Sequence, residues 1–208
     1  MSSLSGLKVL DLTTHLSGPY CTMILADHGA DIVKVERPDG GDPLRHSPPF
    51  QKSESAPFML WNRNKRSIVL DLKDADDLAT VKKMAEKADV LVENFKPGTV
   101  KRLGLGYDVI SPKNPGLIYC SISGFGQTGP YASRGGFDLI ANAMSGLMSI
   151  NGPADGAPFR IPVPVSDLCA GMNAAMGVLL ALFERQNSGV GQYVDTSLFE
   201  AGLSLGVY

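Results

Sequence analysis

Cysteine and histidine are scarce in this sequence, and neither residue type is arranged as a site. The three cysteines are odd in number, far apart and set among apolar neighbours, at Cys21, Cys120 and Cys169. This pattern favours buried thiols over a disulfide framework or a zinc site. The three histidines also lack the mutual spacing of metal ligands. We therefore predict a functional site without a metal.

Strong net charge and long apolar runs are lacking as well. The 208 residues carry a net charge of -2 at pH 7, which gives no electrostatic reason to expect binding to nucleic acid or to an anionic membrane. The N-terminus lacks the pattern of a signal peptide, and no apolar run has the length of a membrane span. We expect a globular protein of the cytoplasm, or of the mitochondrial matrix or peroxisome in a eukaryote.

Positive charge is concentrated in the first half of the chain. Of the 19 Lys and Arg residues, 16 lie at or before Lys113. The second half is rich in Gly, Ala, Met and Leu, and its last run, SLFEAGLSLGVY, is apolar and helical in pattern without a stop signal. We expect this half to be covered by a longer chain or by an obligate interface.

Short aliphatic runs alternate with helical patterns along the chain. Strands are predicted over residues 7–12, 31–36, 67–72, 89–93, 117–123 and 192–195. Helices are predicted over residues 18–28, 74–87, 137–149 and 167–185, with a final helix near the end and a long loop over 37–57. A strand-helix-strand order forces parallel pairing. The fold class is therefore α/β, with a Rossmann-like, mostly parallel sheet and helices on both faces.

Ligands of such sheets bind outside the carboxyl ends of the strands. Several basic residues are expected at or near strand ends: Arg37, the pair Lys65 and Arg66, Lys96, and the pair Lys101 and Arg102. Phosphate groups bind where positive charge meets backbone N–H groups. We therefore predict a small ligand that carries phosphate. His15, at the end of the first strand, is expected to bind ligand or to form local hydrogen bonds.

Asp167 follows two prolines and precedes an apolar helix that carries several small residues. Two interpretations are open. Asp167 is an N-cap residue, a role in which aspartate is common, or it is a carboxylate nucleophile. In either case the positive end of the helix dipole would keep it ionised at neutral pH, since the surrounding sequence has almost no other charge.

Residues 124–129 spell G-x-G-x-x-G directly after a strand, which is the form of a dinucleotide fingerprint. Pro130 and a polar loop follow where a helix should begin, and no acidic residue ends a strand about twenty positions later. An NAD-dependent oxidoreductase is therefore only an alternative. A loop whose backbone comes close to a ligand accounts better for these glycines.

Motifs along the whole chain resemble those of class III CoA-transferases, a family that includes formyl-CoA:oxalate and carnitine CoA-transferases and α-methylacyl-CoA racemases. The matching runs are, in order, VLDLT, GADIVKVERP, NRNKRSIVLDLK, ADVLVENFKPG, YCSISGFGQTGPY, GFDLIANAMSGLM, VSDL and GQYVDTSLFEA. Residues 1–208 are therefore similar to the N-terminal part of the large CoA-binding domain of that family. Residues from about 190 to 208 would lead into the remainder of the domain.

The resemblance implies coenzyme A, as acyl-CoA, and a small carboxylic acid as substrates. It implies that Asp167 is the nucleophile and that Asp138, in the GFD run, faces the acyl group. It also implies an interlocked homodimer in which a later glycine-rich loop covers the acyl-aspartyl site. By position, the residues similar to the family's CoA contacts are His15, Leu16, Arg37, Leu70, Asp71, Leu72, Lys73, Asn94, Phe95, Lys96 and Arg102.

Two positions depart from subgroups of the family. Racemase members carry a histidine where this chain has Phe137, and a phenyl ring exchanges no proton. Formyl-CoA:oxalate members carry a glutamine at or beside the position of Leu16, so oxalate specificity is not expected. We predict acyl-CoA:carboxylate CoA-transfer through an acyl-aspartyl anhydride and an aspartyl-CoA thioester. The alternatives are an acyl-CoA racemase or epimerase, and a CoA-binding lobe without chemistry.

Overall fold

The computed structural model describes residues 2–206 and is built on one six-stranded parallel sheet. The strand order is β5-β2-β1-β6-β7-β8, which confirms the predicted α/β fold class. The strands of this sheet are β1 (Lys8–Asp11), β2 (Asp31–Glu36), β5 (Lys65–Val69), β6 (Val90–Glu93), β7 (Ile118–Ser123) and β8 (Tyr193–Ser197).

Eight α-helices connect and flank these strands in the described part of the chain. They are α1 (Ser17–Asp27), α2 (Ala56–Trp61), α3 (Ala75–Ala85), α4 (Thr99–Leu103), α5 (Tyr107–Ile110), α6 (Asp138–Met144), α7 (Val165–Ser188) and α8 (Leu198–Leu205). The short helices α2, α4 and α5 were not predicted, because none of them is long enough to show a helical period. The final helix was predicted up to the end of the chain, and positions 207 and 208 lie outside the described residues.

Two apolar cores lie on the two faces of the sheet, because successive strand residues point to opposite sides. Val90 and Val92 face a core shared with α1 and α7. Leu91, between them, faces a core shared with α3 and α5. The predicted apolar side of α3 belongs to this second core. Helices therefore cover both faces, and the carboxyl edge of the sheet is left for the loops.

Two boundaries differ from the prediction in ways that affect the site. β5 begins at Lys65 and ends at Val69, so the segment from Leu70 to Leu72 leaves the sheet at its carboxyl edge. The predicted long loop over 37–57 contains a 3-10 helix, Pro43–His46, and a hairpin of β3 (Phe50–Gln51) and β4 (Glu54–Ser55). This loop is therefore an ordered segment beside the carboxyl edge of the sheet.

Helix α7 is the longest element of the fold, with 24 residues. Its length and composition would allow it to cross a membrane, so the prediction that no run has this length is wrong. Its small residues Gly171, Ala174 and Ala175 are buried against α1 and the sheet, as in a core helix. Its outer face is apolar as well, and the Leu180 and Phe183 side chains are 65% and 67% exposed.

Candidate active site

A cavity of about 320 Å³ opens at the carboxyl edge of the sheet, between the ends of β1 and β2. It is bordered by the segment after β5 and by the turn after β6. Six residues that the sequence predicts to contact CoA line it together: Arg37, Leu70, Asp71, Leu72, Lys73 and Phe95. The cavity is mostly apolar, with cationic groups at Arg37 and Lys73. Such a lining suits a ring system that carries phosphate.

A second cavity of about 270 Å³ lies beside the first one, and Thr14 lines both. The loop between β1 and α1 therefore separates the two spaces. Four of the predicted residues line the second cavity: His15, Leu16, Asn94 and Asp167. Phe137 and Gly124 complete part of its wall. The structure thus places the candidate nucleophile next to the space that the candidate CoA contacts form.

Lys96 and Arg102 are among the predicted contacts but line neither cavity in the described structure. The Arg102 guanidinium donates a hydrogen bond to the Thr99 hydroxyl at 3.0 Å. Lys96 lies in the turn between β6 and α4, and Arg102 lies on α4. Their role in binding stays a prediction.

The predicted basic pair Lys65 and Arg66 does not belong to the site. Lys65 Nζ lies 3.1 Å from a carboxylate oxygen of buried Asp11. Arg66 pairs with Asp31 at 2.7 Å, at the opposite, amino edge of the sheet. Both charges are therefore compensated within the fold, and the expectation that they meet phosphate is wrong.

Asp167 is not the N-cap of α7. The helix begins at Val165 after Pro164, which places Asp167 in the first turn. The capping role is taken by Asp138, whose Oδ1 accepts the backbone N–H groups of Ser166 at 2.8 Å and of Asp167 at 3.2 Å. Two carboxyl groups therefore lie together at the start of α7.

Burial, together with this proximity, raises the pKa of Asp167. Burial raises its pKa to about 7, and the negative charge of Asp138 also raises it, while the Ser17 side chain favours the ionised form. The expectation of an isolated, fully ionised carboxylate is therefore wrong. Burial raises the pKa of Asp138 too, although its backbone hydrogen bonds and the charge of Arg160 oppose this shift. Near pH 7 Asp167 exists in both protonation states.

His15 lies in the second cavity with a left-handed backbone, at a φ of 61°. Its imidazole meets the ring of Phe137 edge to face, with centroids 6.1 Å apart. Phe137 lines the second cavity, and its side chain is 70% exposed. An apolar ring therefore borders the cavity at the position where racemase members are expected to carry a histidine.

The glycine-rich run over 124–129 forms a loop, and turns follow it instead of a helix. A Cβ atom added at Gly124 would lie 2.7 Å from the backbone of Gly136. Glycine is required there because two loops cross in contact. The loop borders the second cavity through Gly124, and its shape does not match a dinucleotide site.

Sequence reasoning missed three buried residues next to the site: Lys34, Asp42 and Glu93. Glu93 ends β6, and burial raises the pKa of its carboxyl to about 7. It accepts hydrogen bonds from the Ser121 hydroxyl and from the N–H of Phe95, so it supports the turn that carries Asn94 and Phe95. A charged residue inside an aliphatic strand is the signal that could have identified Lys34 and Glu93.

Residues 2–206 contain no group of three or more His, Cys, Asp or Glu side chains that could hold a metal ion. The cysteines are free, with Cys21 and Cys120 buried and Cys169 half-buried.

Comparisons with known proteins give the same family as the sequence motifs. The model of CoA-transferase family III matches residues 4–207. The mouse succinyl-CoA:glutarate CoA-transferase is 46% identical over 97% of this chain and 46% of its own length. The succinyl-CoA:mesaconate CoA-transferase of Haloarcula hispanica is 47% identical over 99% of this chain and 54% of its own. The acetyl-CoA:oxalate CoA-transferase of Acetobacter aceti is 46% identical over 96% of this chain and 51% of its own.

A solved structure shows the same fold. A CAIB/BAIF family protein from Brucella suis superposes with a TM-score of 0.94 at 38% identity, covering 99% of this chain and 56% of the other. The chain thus spans about half the length of the relatives that it matches. The match of nearly every residue to the family model, together with this fold, shows that the chain belongs to CoA-transferase family III.

Proposed function

We propose that the protein transfers coenzyme A between an acyl-CoA and a carboxylic acid, with Asp167 as the covalent catalyst. The observation that carries this proposal is the position of Asp167 in a cavity that shares Thr14 with the space lined by Arg37 and residues 70–73. In this arrangement the CoA nucleotide occupies the first cavity. The thioester reaches past Thr14 to the carboxylate.

The first half-reaction exchanges two activated acyl bonds. The Asp167 carboxylate attacks the thioester carbonyl, the C–S bond breaks, and CoA leaves as a thiolate. The product is a mixed anhydride between the acyl group and Asp167. The thiolate then attacks the aspartyl carbonyl, which releases the donor acid as a carboxylate and leaves an aspartyl-CoA thioester. The donor acid leaves with one oxygen atom of Asp167.

The second half-reaction reverses these steps with the acceptor. The acceptor carboxylate attacks the aspartyl-CoA thioester and releases the thiolate, which forms a second anhydride. Attack of the thiolate on the acceptor carbonyl gives the new acyl-CoA and regenerates Asp167 with one oxygen from the acceptor. Water would hydrolyse both anhydrides, so the site must exclude it. Leu16 and Phe137 form part of an apolar wall, but the Phe137 side chain is 70% exposed, so the described residues alone do not close the site to water.

We further propose a short dicarboxylic acid as the acceptor. The relatives named above act on glutarate, mesaconate or oxalate, according to their names. Formyl-CoA:oxalate members are expected to carry a glutamine at or beside the position of Leu16, which lines the second cavity here, and its absence supports an acceptor other than oxalate.

Trapping tests the covalent step. The whole protein is incubated with succinyl-CoA and then with hydroxylamine, which captures an aspartyl anhydride or thioester as a hydroxamate. We expect the added mass on the peptide that contains Asp167. Asp167→Asn should form no adduct, and Asp155→Asn, in an exposed loop, serves as the matched control. Turnover without a modified Asp167 peptide would overturn the proposal.

Exchange with solvent tests the racemase alternative. Phe137 offers no proton-transfer group, so we expect no deuterium at the α-carbon of the acyl-CoA in heavy water. Deuterium incorporation at a rate that matches or exceeds CoA transfer would favour a racemase or epimerase.

A further inference from the structure

The loop between β1 and α1 is the wall between the two cavities, and side chains from other parts of the fold hold its backbone. The Asn94 amide pairs with both backbone groups of Thr14, accepting its N–H at 2.9 Å and donating to its carbonyl oxygen at 2.8 Å. Asp11 accepts the N–H of Thr13 at 2.9 Å. These contacts fix the first half of the loop.

The second half of the loop depends on Asp42. Its Oδ1 accepts the N–H of His15 at 3.1 Å and the N–H of Leu44 at 3.0 Å. His15 has a φ of 61°, a conformation that costs about 1–3 kcal/mol in a residue other than glycine unless its surroundings hold it. The hydrogen bond from its N–H to Asp42 is the contact that supports this conformation.

Lys34 compensates the charge of Asp42. Its Nζ lies 2.9 Å from Asp42 Oδ2, and both side chains are almost fully buried, with exposures of 1% and 0%. Lys34 Nζ also donates to the carbonyl oxygen of Thr13 at 2.6 Å. Among the residues that the structure describes, none donates a well-aligned hydrogen bond to Asp42 Oδ2. Electrostatic attraction therefore holds Lys34 and Asp42 together. A buried ion pair of this kind is weak evidence for stability alone, and its contacts with the loop indicate another role.

We propose that Asp42 is a positioning residue for CoA transfer, which acts through the backbone of His15 to hold the wall between the two cavities, with Lys34 as its counter-charge. The inference rests on the proposed function. Without the Asp42 acceptor, His15 loses its left-handed conformation and the wall moves relative to Asp167. CoA keeps most of its affinity, because Arg37 and the segment after β5 are held by contacts other than the Asp42 carboxylate: Arg37 Nε donates to the Gly41 carbonyl oxygen at 3.0 Å, and the N–H of Asp71 donates to Asp77 at 2.8 Å.

Two double variants isolate the acceptor from the charge. Lys34→Met with Asp42→Asn and Lys34→Met with Asp42→Ala are both neutral, and only the first keeps an acceptor for the N–H of His15. We expect at least a tenfold slower formation of the Asp167 hydroxamate in the alanine pair than in the asparagine pair. The dissociation constant of CoA, measured by calorimetry, should differ by less than threefold between them.

Asp89→Ala is the matched control for loss of a structural carboxylate. Asp89 accepts the N–H of Lys8 at 2.9 Å and pairs with Arg185 at 3.2 Å, at the other end of β1. This variant should lower the melting temperature and leave the rate of hydroxamate formation unchanged. Hydrogen exchange should accelerate at least tenfold for the amide of His15, which donates to Asp42, in the alanine pair and not in Asp89→Ala.

Equal hydroxamate rates in the two double variants would overturn the positioning role, as would equal exchange rates for the amide of His15. If the unmodified protein forms no hydroxamate, the proposed function fails instead. The exchange comparison then still decides whether Asp42 holds the loop.

Discussion

Two carboxyl groups at the start of α7 divide two tasks between them. Asp138 accepts hydrogen bonds from the backbone N–H groups of Ser166 and Asp167. These N–H groups at the helix terminus therefore have an acceptor without the Asp167 side chain. The Asp167 carboxyl is therefore left to face the second cavity. The same proximity makes each charge unfavourable for the other, which links the structural residue to the reactivity of its neighbour.

This link predicts a pH profile. The nucleophile is the ionised form of Asp167, and burial and Asp138 raise its pKa to about 7. Hydroxamate formation should therefore rise roughly tenfold per pH unit below about pH 7 and level off above it. Asp138→Asn keeps an oxygen acceptor for the two N–H groups and removes the charge, so the midpoint should move to lower pH.

Single-turnover trapping between pH 5 and pH 9 measures the midpoint. Asp155→Asn removes a distant, exposed carboxylate and should leave it in place. A midpoint that stays fixed or moves to higher pH in Asp138→Asn would contradict the assignment.

The sequence identifies Asp167 through the prolines before it and the apolar helix after it. It does not identify Asp138 as the capping group, because this residue is 29 positions away and only the packing of α6 on α7 brings it close. Local signals could therefore predict the helix start, and they could not predict the charge state of the residue within it.

At the scale of elements, the contact between α1 and α7 sets the distance between Asp167 and the cavity wall. Gly171 on α7 lies against the first turn of α1, and a Cβ atom there would approach the carbonyl oxygen of Ser17 to 2.7 Å. Ser17 lines the second cavity with Asp167. Close packing of the two helices therefore supports both stability and the geometry of the site.

Gly171→Ala should destabilise the protein. Overpacking costs about 1–3 kcal/mol, and a clash with a backbone atom lies in the upper part of that range, at about 2–3 kcal/mol. The gain in helix propensity returns about 1 kcal/mol. We expect a net loss of about 1–2 kcal/mol in the free energy of unfolding, with slower hydroxamate formation. Urea denaturation measures the first effect.

Asn173→Ala, at an exposed position of the same helix, is the control for helix propensity. It should change the free energy of unfolding by less than about 0.5 kcal/mol. A Gly171→Ala variant as stable as the unmodified protein would show that the two helices can separate without cost.

The alternation of strands and helices was predictable because each run is long enough to show its period. The start of β5 was not, since charged residues argue against a buried strand. Lys65 is buried in the strand because Asp11, from a distant segment, compensates its charge. Arg66 is accepted because β5 is an edge strand whose side chains are mostly exposed. The boundary therefore depends on a tertiary ion pair and on the position of the strand in the sheet, which no local pattern reveals.

At the scale of the whole molecule, the candidate CoA contacts come from four separate segments, and parallel strands bring their ends to one edge. The order of the motifs along the chain predicts that these segments lie close together, because the parallel strands of one sheet end on the same side. It does not predict that the contacts divide between two cavities, or that the loop after β1 separates them. That division depends on side-chain contacts such as those of Asp42, which a single sequence does not show.

The apolar outer face of α7 also belongs to this scale. Exposed Met176, Leu180 and Phe183 agree with the low charge of the second half of the chain. The expectation that a longer chain or an interface covers this half stays a prediction.

The transfer of oxygen tests the covalent role of Asp167 most directly. A single turnover with succinyl-CoA and glutarate labelled with oxygen-18 in its carboxylates should leave one labelled oxygen in the Asp167 side chain. Mass spectrometry of the Asp167 peptide would then detect an increase of about 2 Da, the difference between the two isotopes, because each anhydride exchanges one oxygen with the enzyme carboxylate. Formation of glutaryl-CoA with no label in that peptide would contradict the mechanism.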